Sequence, residues 1–130
     1  MTFVLDTSVL IDVESNRPDV LSRLQELRRE DTSSPVITFV THMEFLYGLL
    51  EKSSRKVEPS LVWLNQFKSL DTTRGTSIVM ASLRRKCKNK GLVLSFSDCL
   101  IAALVIENKM VLVTRDRDFE KVDGLRQVQV

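Results

Sequence analysis

Short, uninterrupted apolar segments alternate along the chain with longer segments whose apolar residues recur every three or four positions. Residues 2–5, 36–40 and 110–114 are rich in Val, Ile and Phe and do not alternate with polar residues. This pattern is typical of strands that are covered on both faces. Residues 125–130 (LRQVQV) alternate with period two, which predicts a strand at the edge of a sheet.

Helical periodicity fills the intervals between these strands. It predicts helices over 19–29, 41–52 and 77–91, the last with Gly91 as its C-cap, and a helix followed by a short strand within 61–70. Residues 97–108 are apolar on nearly all sides, which predicts a central buried helix. Strands that alternate with helices predict a three-layer α/β/α fold with a mainly parallel sheet of four to five strands. We expect residues 1–130 to form a single domain.

Composition and charge narrow the class of protein only a little. The formal charge of +2 does not by itself indicate a nucleic-acid-binding protein. The two cysteines, Cys87 and Cys99, lack the spacing of metal ligands and are expected to be reduced thiols. The chain begins without the pattern of a signal peptide, and no apolar segment approaches the roughly 20 residues that span a bilayer. We expect a cytoplasmic protein that does not associate with membranes.

Four acidic residues lie close to the predicted ends of strands. Asp6 ends the first strand, Glu44 lies at the start of the helix after the second, Asp98 opens the buried helix, and Asp116 follows residues 110–114. In an open α/β sheet the ligand crevice lies beyond the carboxyl ends of the strands. We therefore expect the four carboxylates to converge at this edge.

Each acid also has an ordinary structural explanation. Glu44 and Asp98 each follow a hydroxyl residue by three positions, the spacing of a capping box. Asp6 is suited to N-cap the helix that follows it, and Asp116 is suited to a turn. Any one of these explanations is adequate for its own residue. Four acids at one edge of the sheet together favour a functional site.

Electrostatics indicates what such a site would bind. Two carboxylates about 5 Å apart repel each other by about 3 kcal/mol at an effective dielectric constant of about 20. A cluster of four therefore needs a cation, and an oxygen-only ligand set suits Mg²⁺ or Mn²⁺. His42 is the only histidine, so no His/Cys set for zinc competes. Hydroxyl groups beside the acids are suited to orient them or bound water; these are Thr7, Ser8, Ser97 and Thr114.

Four motifs, in this order along the chain, resemble one family. The segments VLDTSVLID, THMEFLYG, SFSDCLIAALV and LVTRDRDF together resemble the PIN-domain ribonucleases, and most of all the VapC toxins of prokaryotic toxin–antitoxin pairs. The resemblance implies a PIN-like fold in which Asp6, Glu44, Asp98 and Asp116 bind Mg²⁺ or Mn²⁺. It leaves open whether Asp118 assists or replaces Asp116. The residues that it implies for the supporting shell are Thr7, Ser8 and Thr114.

The same resemblance implies a function and partners. It implies a metal-dependent endoribonuclease that hydrolyses RNA phosphodiester bonds and leaves 5′-phosphate and 3′-hydroxyl ends. It also implies a cognate antitoxin protein and a homodimer. The segments 43–50 and 61–70 hold more large apolar residues than one helix face each can bury, which predicts a partner groove or a dimer surface. These residues are Phe45, Tyr47, Leu49, Trp63 and Phe67.

Other classes of α/β protein also have an aspartate after the first strand. Haloacid-dehalogenase-type phosphatases need an aspartate at the position of Ser8, and receiver domains need an acidic pair and a late lysine that this chain lacks. Neither class explains Glu44 together with Asp98. Two alternatives stay open: a stand-alone PIN nuclease of RNA processing, and a PIN-like module that binds RNA or protein without cutting.

Basic residues are concentrated in one segment, RRKCKNK at 84–90. Arg84, Arg85 and Lys86 are candidate contacts for RNA phosphates, and so are Arg115 and Arg117 beside the fourth acid. The alternative for the first three is a solvated helix end, where cations are favourable. The alternative for the two arginines is that they offset the neighbouring acids.

Overall fold

The structure is a computed structural model that describes residues 1–30, 33–52 and 57–130. The strands of the described residues are β1 (Phe3–Leu5), β2 (Ile37–Thr38), β3 (Ser69–Leu70), β4 (Val111–Thr114) and β5 (Gln127–Gln129). The α-helices are α1 (Thr7–Glu14), α2 (Pro18–Glu30), α3 (Phe39–Glu51), α4 (Val57–Leu64), α5 (Arg74–Asn89) and α6 (Phe96–Glu107). A 3₁₀ helix, η1 (Arg117–Lys121), lies between β4 and β5.

All of the described strand pairs are parallel. Strands β1, β4 and β5 form one ladder and β2 pairs with β3. A parallel bridge between Val4 and Val36 joins the two ladders, so the order across the sheet is β3-β2-β1-β4-β5. The prediction of a mainly parallel sheet of four to five strands is confirmed, and β5 is the predicted edge strand.

Helices cover both faces of this sheet. Successive strand residues point to opposite faces, so neighbouring residues of one strand pack into different cores. Val4 and Leu112 pack into the apolar core beneath α5 and α6. Their neighbours Leu5 and Val113 pack into a second core formed with α1 to α4. Helix α6 is buried from Cys99 to Val105, as predicted from its apolar composition. The structure therefore has the expected three layers.

The boundary between β2 and α3 differs from the prediction. The strand ends at Thr38, whose side chain caps α3 by accepting the N–H of Thr41 at 3.2 Å. Val40, predicted as strand, lies in the first turn of α3 and is buried. The apolar segment 36–40 thus contributes to both β2 and α3. Its hydrophobic pattern does not show where the backbone changes from strand to helix. The predicted C-cap of α5 is displaced by one residue, because Lys90 is the cap and Gly91 follows with φ +68°.

The prediction of a partner groove or a dimer surface is wrong for two of its five large apolar residues, which lie in the core. Phe45 and Leu49 are buried. Trp63 is half-buried and packs between Phe45 and Phe67, with ring centroids 5.8 and 5.0 Å away. Only Tyr47 is exposed.

No helix in the described part of the chain is long and apolar enough to cross a membrane.

Candidate metal and nuclease site

Strand ends and helix starts position the four predicted acids. Asp6 follows β1 and is the N-cap of α1, while Asp116 follows β4 and is the N-cap of η1. Asp98 lies in the first turn of α6, and Glu44 lies in the second turn of α3. The negative charges of these residues act on one another: Glu44 and Asp116 raise the pKa of Asp6, and all three others raise that of Asp98. The structure therefore places the four carboxylates within electrostatic reach of one another.

Asp6 is the most enclosed of the four. Burial raises the pKa of its carboxyl above the ordinary value, even though two hydrogen bonds stabilise the charged form. The Thr114 hydroxyl donates to one carboxylate oxygen at 2.7 Å, and the Thr7 N–H donates to the other at 2.9 Å. These bonds fix the orientation of the carboxylate and keep it on the sheet edge.

Glu44 is exposed, but a hydroxyl group holds its carboxylate in place. The Thr7 hydroxyl donates to Glu44 Oε1 at 2.8 Å and lies 3.0 Å from the Thr41 hydroxyl. The predicted capping box of Thr41 with Glu44 is wrong, because α3 begins earlier and Thr38 is its cap. The structural alternative for Glu44 is thereby removed, and its side chain is available to a ligand.

Asp98 combines a structural position with a perturbed carboxyl group. Ser95 is the N-cap of α6, and its hydroxyl accepts the Asp98 N–H at 3.1 Å. Burial is the main cause that raises the pKa of Asp98, and the charges of the other acids add to it. The side chain thus lies at a helix N-terminus yet is held near three like charges.

Asp116, rather than Asp118, lies within electrostatic reach of the other acids. Asp116 acts on the carboxyls of both Asp6 and Asp98. Asp118 is exposed, and its N–H donates to Asp116 Oδ1 at 2.9 Å. This geometry favours Asp116 as the fourth member of the group, and the assignment of either residue as a metal ligand stays a prediction.

The fully buried Thr114 hydroxyl links two of the acids. It donates to Asp6 and accepts the N–H of Asp116 at 3.0 Å, so β4 and β1 are tied together at the site. The Ser8 hydroxyl is buried and has no hydrogen-bond partner among the described residues. Ser8 lies two residues after Asp6 in the chain, and a buried hydroxyl of this kind is suited to hold a water molecule.

Sequence reasoning missed Asp12, a buried carboxylate in α1. Asp12 forms an ion pair with Arg115 and lies 3.7 Å from the Arg17 guanidinium. A charged residue between core positions of a short helix was the signal, since a buried charge needs a partner. Arg115, a predicted RNA contact, is therefore engaged with Asp12, and Arg117 lies 3.6 Å from Glu120.

We expect Asp12→Asn to lower the free energy of unfolding by about 1–2 kcal/mol, because it leaves Arg115 with a weaker partner. Asp19→Asn is the matched control, because Asp19 makes an exposed pair with Arg17 at 3.2 Å. Urea denaturation measures the effect; equal stability of the two variants would contradict it.

The donor chemistry of the site fits a hard divalent cation. Every candidate ligand atom is a carboxylate oxygen. A cation among them would offset the burial and, to a smaller extent, the repulsion that raise the pKa of Asp6 and Asp98. Within residues 1–30, 33–52 and 57–130, no three His, Cys, Asp or Glu side chains are already drawn together as a ligand set. The carboxylates repel one another, and their side chains would have to move closer together to coordinate an ion.

The three basic residues predicted on α5 do not share one surface. Arg84, Arg85 and Lys86 are all exposed. The positive charge of Arg84 acts on the Cys99 thiol at the start of α6, next to Asp98. Lys86 instead acts on Asp123, on another face of the helix. The structure thus brings Arg84 towards the acidic site but not Lys86.

Comparison with known proteins identifies similar sequences and folds. A family model described as "PIN domain" matches residues 3–125. "Ribonuclease VapC2" from Rickettsia felis is 24% identical over 129 residues, which are 96% of this chain and 95% of that protein.

Solved structures are similar over almost the whole chain. A VapBC2 structure from Rickettsia felis, bound to a DNA fragment from its promoter, has a TM-score of 0.85 at 22% identity and covers 100% of this chain and 99% of its own. A DNA-bound VapBC structure from Salmonella typhimurium has a TM-score of 0.83 at 26% identity, with 99% and 98% covered.

Proposed function

Because the chain belongs to the PIN-domain family, we propose that it is a metal-dependent endoribonuclease that acts as a VapC-type toxin. The observation that carries the proposal is the enclosed Asp6 carboxylate, whose pKa is raised by burial and by the charges of Glu44 and Asp116. The similarity to a ribonuclease over 95% of that protein's length supports the same activity.

The proposed reaction is hydrolysis of an RNA phosphodiester. Mg²⁺ or Mn²⁺, held by Asp6, Glu44, Asp98 and Asp116, would lower the pKa of a bound water and neutralise charge on the phosphate. The hydroxyls of Thr7 and Thr114 hold two of these carboxylates in fixed orientations. Hydrolysis that breaks the bond from phosphorus to the 3′ oxygen leaves a 5′-phosphate and a 3′-hydroxyl.

The direct test incubates the purified protein and structured RNA with Mg²⁺ or Mn²⁺, with and without EDTA. Cleavage in single-stranded loops that stops with EDTA supports the proposal, and 5′-end analysis of the products checks which bond is broken. Intact RNA with both metals would contradict the nuclease assignment and favour a PIN-like module that only binds.

Stability should depend on pH and on metal together. The raised pKa values of Asp6 and Asp98 mean that the folded protein holds these protons more tightly than the unfolded chain. Without metal, the free energy of unfolding should therefore fall as the pH rises above the ordinary carboxyl pKa of 3.8, until both groups are ionised. Mn²⁺ at neutral pH should reverse this loss, by about 2.7 kcal/mol at a hundredfold excess over its Kd.

Thermal melts of two variants check the cause. Asp6→Asn should raise the metal-free melting temperature at pH 7 and remove the increase with Mn²⁺, because the buried charge is gone. Asp118→Asn is the control, and it should respond to Mn²⁺ as the parent protein does. An undiminished Mn²⁺ response in Asp6→Asn would contradict the site.

The role as a toxin is favoured over a role in RNA processing by the similar structures, which are VapBC assemblies of nearly the same toxin-chain length. We therefore propose a cognate antitoxin as the partner, with the cytoplasm as the place of action. An acidic site also suits inhibition by a basic side chain of such a partner.

An exposed apolar stripe on α3 supports a homodimer. Met43, Tyr47 and Leu50 are 52%, 61% and 72% exposed and recur at helical spacing, in line with Phe39. Surface of this kind is typical of a protein–protein contact. Of the five residues that the sequence predicted for a partner surface, the stripe contains Tyr47.

Charges on this stripe should separate the subunits. Tyr47→Glu with Leu50→Glu is expected to shift the protein from dimer to monomer, because each glutamate would be desolvated at the contact. Val62→Glu is the matched control, since Val62 is 59% exposed on α4. Light scattering after size exclusion measures the mass; a parent protein that is already monomeric would contradict the dimer.

A further inference from the structure

A cleft reaches the first turn of α6, the turn that carries Asp98, through its lining residue Cys99. It lies between the second half of α5, residues 92–94 and α6, and its volume is about 400 Å³, within the range of ligand-binding pockets. Its lining residues are Arg84, Arg85, Cys87, Lys88, Leu92, Val93, Leu94 and Cys99.

The rim of the cleft is positively charged. Arg84, Arg85 and Lys88 line it without an acidic residue, and none of them forms an ion pair with any residue that the structure describes. Lys90, two positions further on, differs because it pairs with Asp123. Lys86, predicted from the sequence as an RNA contact, does not line the cleft, and Lys88 takes its place.

The floor of the cleft is apolar. Leu92 and Leu94 are half-buried, and Cys87 and Cys99 are buried beneath them. Val93 forms an open wall and is 89% exposed. A bare phosphate would use only the rim, and a purely apolar ligand would use only the floor. A nucleotide uses both, because its phosphate is anionic and its base has apolar faces.

The cleft and the acidic site share one turn of helix. Cys99, on the floor of the cleft, follows Asp98 directly, and consecutive Cα atoms are about 3.8 Å apart. Arg84 lies close to this turn, since it lines the cleft together with Cys99. An RNA strand that crosses the N-terminus of α6 would place one phosphate at the acids and the next nucleotide over the cleft.

We propose that this cleft binds an unpaired nucleotide of the RNA substrate, adjacent to the phosphodiester that is cut. Arg84 and Lys88 contact backbone phosphates, and the base rests on Leu92 and Leu94. The inference rests on the proposed nuclease function and adds to it a subsite for substrate selection. It explains why an apolar cavity opens beside three cations that form no ion pair with the part of the chain that the structure describes.

Binding measurements in an Asp6→Asn background, which prevents cleavage, test the rim. Fluorescence anisotropy with a fluorescein-labelled 12-nucleotide single-stranded RNA gives the affinity over a range of salt concentrations. Arg84→Gln with Lys88→Gln should weaken binding at least about tenfold and reduce the salt slope by about 1.4, which is about 0.7 per lost phosphate contact. Lys86→Gln with Lys90→Gln removes the same charge from the C-terminal end of α5 and its cap, and should change the affinity less than about threefold.

Equal losses in the two double variants would overturn the proposal, because they would show general attraction to a basic helix. An oligoglutamate peptide that binds through Arg84 and Lys88, while RNA binding is unaffected by their replacement, would also overturn it and indicate an acidic partner protein.

Photo-crosslinking tests the floor. With one 4-thiouridine placed at each position of the RNA in turn, at least one position should crosslink within residues 92–99. Loss of that crosslink in the Arg84→Gln, Lys88→Gln variant supports the proposal, and crosslinks confined to other segments reject it.

Failure of this subsite is distinguishable from failure of the nuclease function. Protein that carries the native Asp6, cuts RNA and loses no activity in the Arg84→Gln, Lys88→Gln variant rejects the subsite alone. Protein that neither binds nor cuts RNA rejects both.

Discussion

RNA cleavage should fall at least about 100-fold in Asp6→Asn and in Asp98→Asn, while both variants should stay folded. A loss of this size corresponds to about 2.7 kcal/mol of transition-state stabilisation. We expect it because each carboxylate faces the other acids and is expected to hold the metal that activates water. Initial rates at saturating Mg²⁺ and at saturating Mn²⁺ measure the loss.

Asparagine is the appropriate replacement because it retains the local structure. At Asp6 its carbonyl oxygen can still accept the Thr7 N–H and cap α1. At Asp98 the helix start is fixed by the Ser95 hydroxyl, which accepts a backbone N–H whatever side chain follows. Circular dichroism should therefore be unchanged, so that loss of activity reports on chemistry rather than on folding.

Asp118→Asn is the matched control for this pair. Asp118 lies close in sequence to Asp116 but is exposed, and its charge does not act on Asp6 or Asp98. We expect it to keep cleavage within about threefold of the parent rate, which is the scale of a surface charge effect. If Asp118→Asn lost as much activity as Asp98→Asn, the fourth acid would be assigned wrongly.

The sheet and its layers could be predicted from the sequence because the chain has strong, simple patterns. Strands β1 and β4 are continuous apolar runs, and α6 is apolar on all sides. Such elements are stable only in the interior of the protein, so their buried positions could be predicted. The start of α3 could not be predicted, since Phe39 and Val40 suit a strand and a buried helix equally. The helix begins after Thr38 because the Thr38 side chain caps it. A pattern of apolar residues does not reveal such a hydrogen bond.

The convergence of the acids was predictable for a topological reason. Parallel strands end at one edge, so residues that follow β1 and β4 must meet there whatever separates them in sequence. The ion pair of Asp12 with Arg115 was not predictable, because it depends on the rotation of α1 against the segment after β4. Which lysine of α5 lines the cleft, Lys88 rather than Lys86, depends in the same way on the rotation of α5 about its axis.

Expression of this protein alone should arrest growth, and co-expression with its cognate antitoxin should restore it. The antitoxin is expected to be a small DNA-binding protein encoded upstream. RNA cleavage is catalytic, so a few unrestrained copies would act on many RNA molecules, and colony counts should fall by orders of magnitude. The Asp6→Asn variant should be harmless at the same expression level, because it removes the proposed chemistry without removing the fold.

The outcome separates the toxin from a housekeeping nuclease. Both would cut RNA in vitro and both would lose activity in Asp6→Asn, but only a toxin needs a partner to be tolerated. The four carboxylates act on one another as like charges, and a partner's arginine could pair with one or two of them in place of a metal ion. Restored growth should therefore coincide with a stable complex of the two proteins and with loss of RNA cleavage by that complex. Normal growth at high expression of an active, unpartnered protein would instead assign the chain to RNA processing.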